Sequence, residues 1–386
     1  MARVGILSLG LLLAGQLAAQ SECSNDEDNL LSWLRANGGY AHIHVENVTV
    51  DALRGVVAAT DVKEGDSLAL LPDDLIIEMG TQRHSSAENA AVLLGKQTKD
   101  AQWHNRMSRY WDGLPGMNSG LLCRHLFTEH EAAMLQSESM KEEIEQDQEH
   151  LRQVFHGTAK WWETLLGLGP RASLVKELGV QHNVTLQAFA HAACLVGAYA
   201  FACQRGTWPF HYSAICLLPV MDMLNHRAGN ASNAIVDQNK NGSYSCHAKR
   251  AIQAGEEVTQ TYSQVTSRMD HSLLQYGFVE EHGEPLLAAV DSATGFEHED
   301  DSLYGKHAHL TGPEELKRLQ GILESLETTE EQDRALLTDA RRRGDGREED
   351  ILRFRIQRKV ALKQMIERLQ RGLVMRQASS SARQEL

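Results

Sequence analysis

The chain has 386 residues, 42% of them hydrophobic, and a formal net charge of −14. That length exceeds one ordinary domain, so two folded units with tails are expected. The acidic balance excludes a bulk electrostatic grip on nucleic acid and favours a basic polypeptide as partner.

Arg3, the apolar run from Val4 to Leu13 and the small residues Ala14, Ala18 and Ala19 follow the order of a secretory signal peptide over residues 1–20. The run is short for a bilayer span and no later stretch reaches that length, so no stable membrane span is expected; an uncleaved anchor is the alternative. At the other end, Arg383-Gln384-Glu385-Leu386 is close to the Lys-Asp-Glu-Leu address that returns lumenal proteins to the endoplasmic reticulum. Sequons at Asn47, Asn183, Asn230 and Asn241 fit a lumenal route. The expected location is the endoplasmic reticulum lumen, with secretion or a plastid as alternatives. The acidic stretch Glu22–Asp28 speaks against a transit peptide.

A short amphipathic helix is predicted from Asn29 to Ala36, ended by Asn37-Gly38-Gly39. Strands are predicted over His42–Val50, Arg54–Ala59 and Ser67–Leu71, separated by turn signals such as Lys63-Glu64-Gly65-Asp66. Residues 87–203 then read as helical. Tyr110–Pro115 breaks the pattern, and Glu129–Leu166 reads as one long helix stopped by Gly167-Leu168-Gly169-Pro170. Ala188–Cys203 is so apolar that a buried helix is expected, with Cys194 and Cys203 as buried thiols.

Six cysteines stand at 23, 123, 194, 203, 216 and 246, with no C-x-x-C pair to suggest a zinc ribbon or a thioredoxin-like motif. A secretory chain leaves disulfides open, but the spacing does not say which cysteines would pair. After an acidic loop over 280–301, three helices are predicted at Glu314–Leu326, Thr329–Arg342 and Glu349–Leu373. Thr329-Glu330-Glu331-Gln332 has capping-box spacing. The last helix is basic and amphipathic, and a solvated face on a bundle is preferred over a membrane or nucleic-acid surface. Residues 376–386 are a polar tail.

Three clusters carry the chemistry. Leu217-Leu218-Pro219-Val220 enters Asp222-Met223-Leu224-Asn225-His226; Gly255-Glu256-Glu257-Val258 leads to Thr261-Tyr262; and Tyr276-Gly277-Phe278 follows. Taken singly, His226 reads as a structural histidine, Tyr262 as a half-buried strand residue and Arg205 as a surface charge. In this order and spacing, they resemble the SET-domain methyltransferases, in the subfamily of the Rubisco large-subunit lysine methyltransferase and the actin-histidine methyltransferase. Arg54-Gly55-Val56-Val57 resembles that family's opening strand and turn. The resemblance covers about residues 30–375.

The resemblance implies an α+β fold. A β-rich SET domain over 29–285 would carry a helical insert over about 87–203, and an all-α substrate-binding domain would follow over 302–375. It implies S-adenosylmethionine as cofactor, no metal and a protein substrate, with lysine preferred. Tyr262 would be the tyrosine at the transfer point. Asp222, Met223, Leu224, Asn225 and His226 would form the cofactor segment, Asn225 through its side chain and His226 through its backbone. Arg54 would mark the opening-turn contact, Arg205 would meet the cofactor carboxylate, Phe278 would line the adenine pocket and Tyr276 the substrate channel. Glu256 and Glu257 read as turn residues.

The chemistry fits these residue types. A lysine amine, with a pKa of about 10.4 in water, must lose its proton before it can attack a methyl group. A dry channel and a nearby positive charge both favour the neutral form. Two alternatives stay open: a histidine acceptor, and a catalytically silent peptide-binding SET fold. The second is motivated by Ala52, and by Ser267-Arg268-Met269-Asp270 where relatives carry Ser-Asn.

Overall fold

The computed structural model describes residues 30–48, 54–81, 85–99, 101–117, 119–158, 175, 177–179, 182–206, 210–227, 229–262, 269–279 and 312–384, without the side chains of residue 99 and of those beyond 374. The expected leader, Ala52, Gly167–Pro170, Ser267-Arg268, the acidic loop and the last two residues lie outside that set. The chain divides into two compact units, Met1–Pro115 with Tyr199–Gln264 and Gly116–Ala198 with Val265–Leu386. This partition does not follow the linear order expected from sequence, because the helical insert is shared between the two.

The first unit holds every described strand, together with the helices at 30–36, Ser86–Lys99, Ala101–Arg106 and Ser108–Gly113. β1 (Tyr40–Ala41), β4 (Ser67–Leu71), β10 (Tyr244–Ala248) and β9 (Ala234–Gln238) form an antiparallel sheet in that order. β2 (Ile43–Asn47) pairs with β3 (Arg54–Ala58), and β5 (Ile77–Thr81), β7 (Tyr212–Leu217) and β6 (Ala200–Arg205) make a third sheet. In β2 buried Ile43 and Val45 alternate with exposed neighbours, the pattern of a sheet with one wet face. β3 is buried almost throughout, as are Leu217 at the end of β7 and Leu218 after it. β8 (Asn225–His226) and β11 (Thr259–Gln260) form a two-stranded parallel pair.

The second unit is helical in all its described elements. Its core joins Leu122, Phe127, Leu135 and Ile144 to Leu273, Leu274, Leu319, Phe354 and Leu362. The three C-terminal helices run Gly312–Ser325, Glu330–Arg343 and Gly346–Gln384. The capping box forms as its spacing predicts: Thr329 Oγ1 accepts from the Gln332 N–H and the Gln332 side chain accepts from the Thr329 N–H. Arg347 fastens the last helix to the segment Leu121–Glu131, donating to both oxygens of Glu131 (2.7 and 2.8 Å) and to the Leu121 and Leu126 carbonyls.

Several expectations need correction. Helix Leu186–Tyr199 gives way at once to strand β6, so Cys203 lies on a strand. Cys194 and Cys203 are not buried thiols: Cys123 pairs with Cys194, Cys203 pairs with Cys216, and Cys246 is a free buried cysteine. Tyr110–Pro115 begins inside a helix, Ser108–Gly113. The long helix expected over 129–166 is two helices, Glu129–Met134 and Glu138–His156, broken where Gln136 adopts φ 52°. The basic face of the last helix is not simply solvated, since Arg355, Arg358 and Lys359 are buried. Among the described residues no helix is long and apolar enough to cross a membrane.

Candidate active site

β7 delivers the chain to a proline stop, and the next residue pays for the turn. Val220 sits at φ 73° and ψ −42°, a conformation that a β-branched residue reaches only under strain. A single 3₁₀ turn, Met221–Met223, follows, and β8 begins at Asn225. Parallel pairing then places Asn225 opposite Thr259 and His226 opposite Gln260. Asn233 clamps the partner strand: its Oδ1 accepts from the Thr259 N–H at 2.8 Å and its amide donates to the Glu257 carbonyl at 2.8 Å. Two segments far apart in sequence are thereby fixed in one register.

Tyr262 emerges from the end of β11. Its hydroxyl donates to the Leu224 carbonyl at 2.9 Å, and its backbone N–H donates to Nδ1 of His226 at 3.1 Å. The two rings lie 5.2 Å apart, tilted by 52°. Asn225 turns its amide nitrogen inward, donating to the Arg54 carbonyl (3.0 Å) and to Oε1 of Glu257 (2.9 Å). Gly55 makes this approach possible, because a Cβ there would lie 2.9 Å from Nδ2 of Asn225 and 2.7 Å from Val48. The Arg54 guanidinium donates to the Gly113 carbonyl.

Asp222 is buried, and its Oδ2 accepts the Tyr110 hydroxyl proton at 2.5 Å. Burial pushes the Asp222 carboxyl up to about 7, although the Tyr110 hydrogen bond and the Arg54 charge pull the other way. Burial, then Asp222 itself, raises the Tyr110 hydroxyl well above its ordinary value, and burial likewise raises Tyr199. Met223 and Leu224 are buried too, and Met223 packs where Gly113 leaves room.

The structure therefore gathers Arg54, Leu224, Asn225, His226 and Tyr262 around one parallel strand pair, with Asp222 and Met223 in the buried turn that leads into it. Arg205 is placed otherwise. At the end of β6 it pairs with Asp73 and with Glu78, the second at 3.5 Å, and Glu78 also accepts from the Tyr212 hydroxyl at 2.8 Å. The charge expected to meet a cofactor carboxylate is committed to two protein carboxylates.

Tyr276 and Phe278 belong to the helical unit. A π-turn, Ser272–Tyr276, ends at Gly277 with φ 76°, where a Cβ would strike the Leu122 carbonyl. The Tyr276 and Phe278 rings lie 6.1 Å apart, and burial raises the Tyr276 hydroxyl.

Two contributors were missed in the sequence. Glu257, read as a turn residue, holds the Asn225 amide, and Tyr110, read as part of a break, holds Asp222 from 112 residues away. The only local signal for Tyr110 was an aromatic hydroxyl beside Trp111 in a segment read as a break. Glu257 lay inside a recognised cluster but was given no partner.

A family model for the SET domain matches residues 53–263. No curated protein matches in sequence. Among solved structures, the SET domain of LSMT bound to lysine and AdoHcy is similar, with a TM-score of 0.59 at 17% identity over 91% of this chain and 92% of that one. Rubisco LSMT bound to AdoMet gives a TM-score of 0.59 at 17% identity over 90% and 92%. Rubisco LSMT bound to sinefungin and monomethyllysine gives 0.57 at 17% identity over 90% and 92%.

Proposed function

Because the chain belongs to the SET-domain family, we propose that it is an S-adenosylmethionine-dependent protein N-methyltransferase whose acceptor is a lysine side chain. The observation that carries this reading is the parallel pairing of β8 with β11, which holds Tyr262 against both Leu224 and His226. S-adenosylmethionine, when bound, supplies a methyl group on a positively charged sulfur. The remaining work falls to the chain's own groups.

Tyr262 donates its hydroxyl proton to the Leu224 carbonyl, so the phenol oxygen keeps lone pairs with which to accept an N–H from an incoming amine. That contact would aim the nitrogen lone pair, a gain in positioning rather than in acid–base chemistry. Asn225, with its amide protons engaged on the protein, has Oδ1 left to accept from an amine or hydroxyl of the cofactor. This acceptor suits S-adenosylmethionine, which carries donors of both kinds. Lysine is preferred because Tyr276 stands at the position where, by the resemblance, lysine-modifying relatives keep a tyrosine.

The test is transfer of a heavy methyl group from the cofactor to lysate proteins, followed by mass-spectrometric mapping. Methylated lysine supports the reading and methylated histidine overturns the acceptor. Failure of the mature protein to bind S-adenosylmethionine in calorimetry overturns the enzyme. One observation favours a second reading, a silent SET fold that binds peptide: Arg205 is held by Asp73 and Glu78. Cofactor binding with no transfer to any protein would select it.

For location, the leader, the Arg-Gln-Glu-Leu ending and the sequons support the endoplasmic reticulum lumen. Two disulfides suit an oxidising compartment, and the sequon residues Asn47, Asn183, Asn230 and Asn241 are all exposed. Deletion of Arg383–Leu386 should cause secretion; retention of the truncated chain would sink the retrieval signal.

A further inference from the structure

An asparagine side chain offers a ligand two opposite faces, a donor NH₂ and an acceptor oxygen, and the two orientations differ only by a flip. What selects one is the protein around it. At Asn225 the selection is explicit. Nδ2 lies 3.0 Å from the Arg54 carbonyl and 2.9 Å from Oε1 of Glu257. Both partners only accept, so the flipped amide would set oxygen against two oxygens. Gly55 closes the remaining room, since its backbone passes so near that a methyl group there would lie 2.9 Å from Nδ2.

Glu257 is itself held at both ends. Its backbone forms a bridge with Val57, its carbonyl accepts from buried Asn233 at 2.8 Å, and the next residue, Val258, donates to the Val56 carbonyl at 2.7 Å. Its second carboxylate oxygen faces Arg227 at 3.5 Å. All these groups belong to the strand-bearing unit.

We infer that Glu257 is a positioning residue for the cofactor: with the Arg54 carbonyl it engages both amide protons of Asn225 and leaves Oδ1 as the one atom this side chain presents. Asn225 then recognises a donor on the ligand, an N–H or O–H, and disfavours a carboxylate. The arrangement deepens the methyltransferase reading and rests on it. A glutamine at 257 keeps the shape but can present its own NH₂ to Asn225, so the amide is no longer held in one orientation.

The experiment is calorimetry of the mature, disulfide-intact chain with S-adenosylhomocysteine, for wild type, Glu257→Gln and Asn225→Ala, with steady-state kinetics on the same proteins. Glu257→Gln should weaken binding on the order of tenfold and raise KM for S-adenosylmethionine similarly, while kcat stays within about twofold because Tyr262 is untouched. Equal affinity of Glu257→Gln and wild type, with Asn225→Ala weakened, overturns the role of Glu257. Equal affinity of Asn225→Ala and wild type overturns the contact through Asn225. Wild type that binds no S-adenosylhomocysteine overturns the methyltransferase reading and this inference with it.

A measurement on wild type alone guards against variants that do not fold. In ¹⁵N-asparagine-labelled protein, the two Asn225 side-chain protons should exchange with water well below the rate of an exposed amide. Exchange at the exposed rate overturns the inference.

Discussion

The two units use buried polarity in opposite ways. In the helical unit the buried polar centre is ionic: Asp333, fully buried, faces Arg355 and Lys359, and Thr328 joins the same cluster. In the strand-bearing unit the polar centre is mostly amides, carbonyls and hydroxyls around Asn225, Asn233, Gln260 and Tyr262, with the Glu257 carboxylate as the charged group that holds Asn225. Ion pairs cost much desolvation and return it only as a complete set, so they suit packing that never has to change. An amide network has direction, and with a carboxylate anchoring one side it can hold lone pairs toward a site where a positive charge must be received. The comparison implies that damage to the first network shows in stability and damage to the second shows in activity.

The largest expected effect falls on the ionic cluster. Asp333→Ala leaves two buried cations without their carboxylate, and loss of one partner of a buried pair typically costs about 3–5 kcal/mol. Chemical denaturation should show a loss of that size, and a loss below about 1 kcal/mol would mean the cluster behaves as a surface ion pair. Next comes Tyr262→Phe, which deletes one hydroxyl from the amide network. Turnover should fall roughly 100-fold, the size of loss that misplacement of a reacting group can cause, while stability changes by only about 1 kcal/mol. A variant with unchanged turnover would break the division of labour between the units.

How far the sequence could be read follows the same line. The helical unit announces itself locally: Thr329-Glu330-Glu331-Gln332 is a cap because of residues three apart, and it forms as read. The Asp222–His226 and Gly255–Tyr262 segments were legible as a pair, and the structure joins them. What stayed hidden depends on distant partners. Nothing near Asp222 names Tyr110 as its donor, and nothing near Cys194 names Cys123, 71 residues away. The apolar run over 188–203 lacks a proline or polar stop, so its change from helix to strand at Ala200 is set by pairing with β7 rather than by any local signal.

Asp222 is a buried ionisable group in the segment that leads into β8, and it supplies a pH test. Its carboxyl, at about 7 when folded, stands above its unfolded value of about 3.9. The folded chain therefore binds this proton more tightly. The stability that Asp222 contributes is greatest below the unfolded value, falls as pH rises from about 4 to 7, and levels off above that. Between pH 5 and 8 the loss from this group should be on the order of 2 kcal/mol once relaxation around a buried carboxyl is allowed for. Asp222→Asn, neutral at every pH, should flatten this slope in urea titrations; an unchanged slope would place its origin elsewhere.

The smallest expected effect returns to the helical unit and separates local from buried polarity within it. Thr329 is exposed enough to be wet, yet it satisfies the Gln332 N–H while Gln332 satisfies its own. Thr329→Ala removes one side of that exchange and should cost about 1 kcal/mol, the usual loss for an N-cap. Its neighbour Thr328 bonds instead to Asp333 and Arg355. Thr328→Val should therefore cost more than Thr329→Ala, although each removes a single hydroxyl, because it opens the buried cluster rather than a solvated helix end. Equal losses from the two in parallel denaturation curves would show that the ionic centre draws no more strength from its hydroxyl than a solvated helix end draws from its cap.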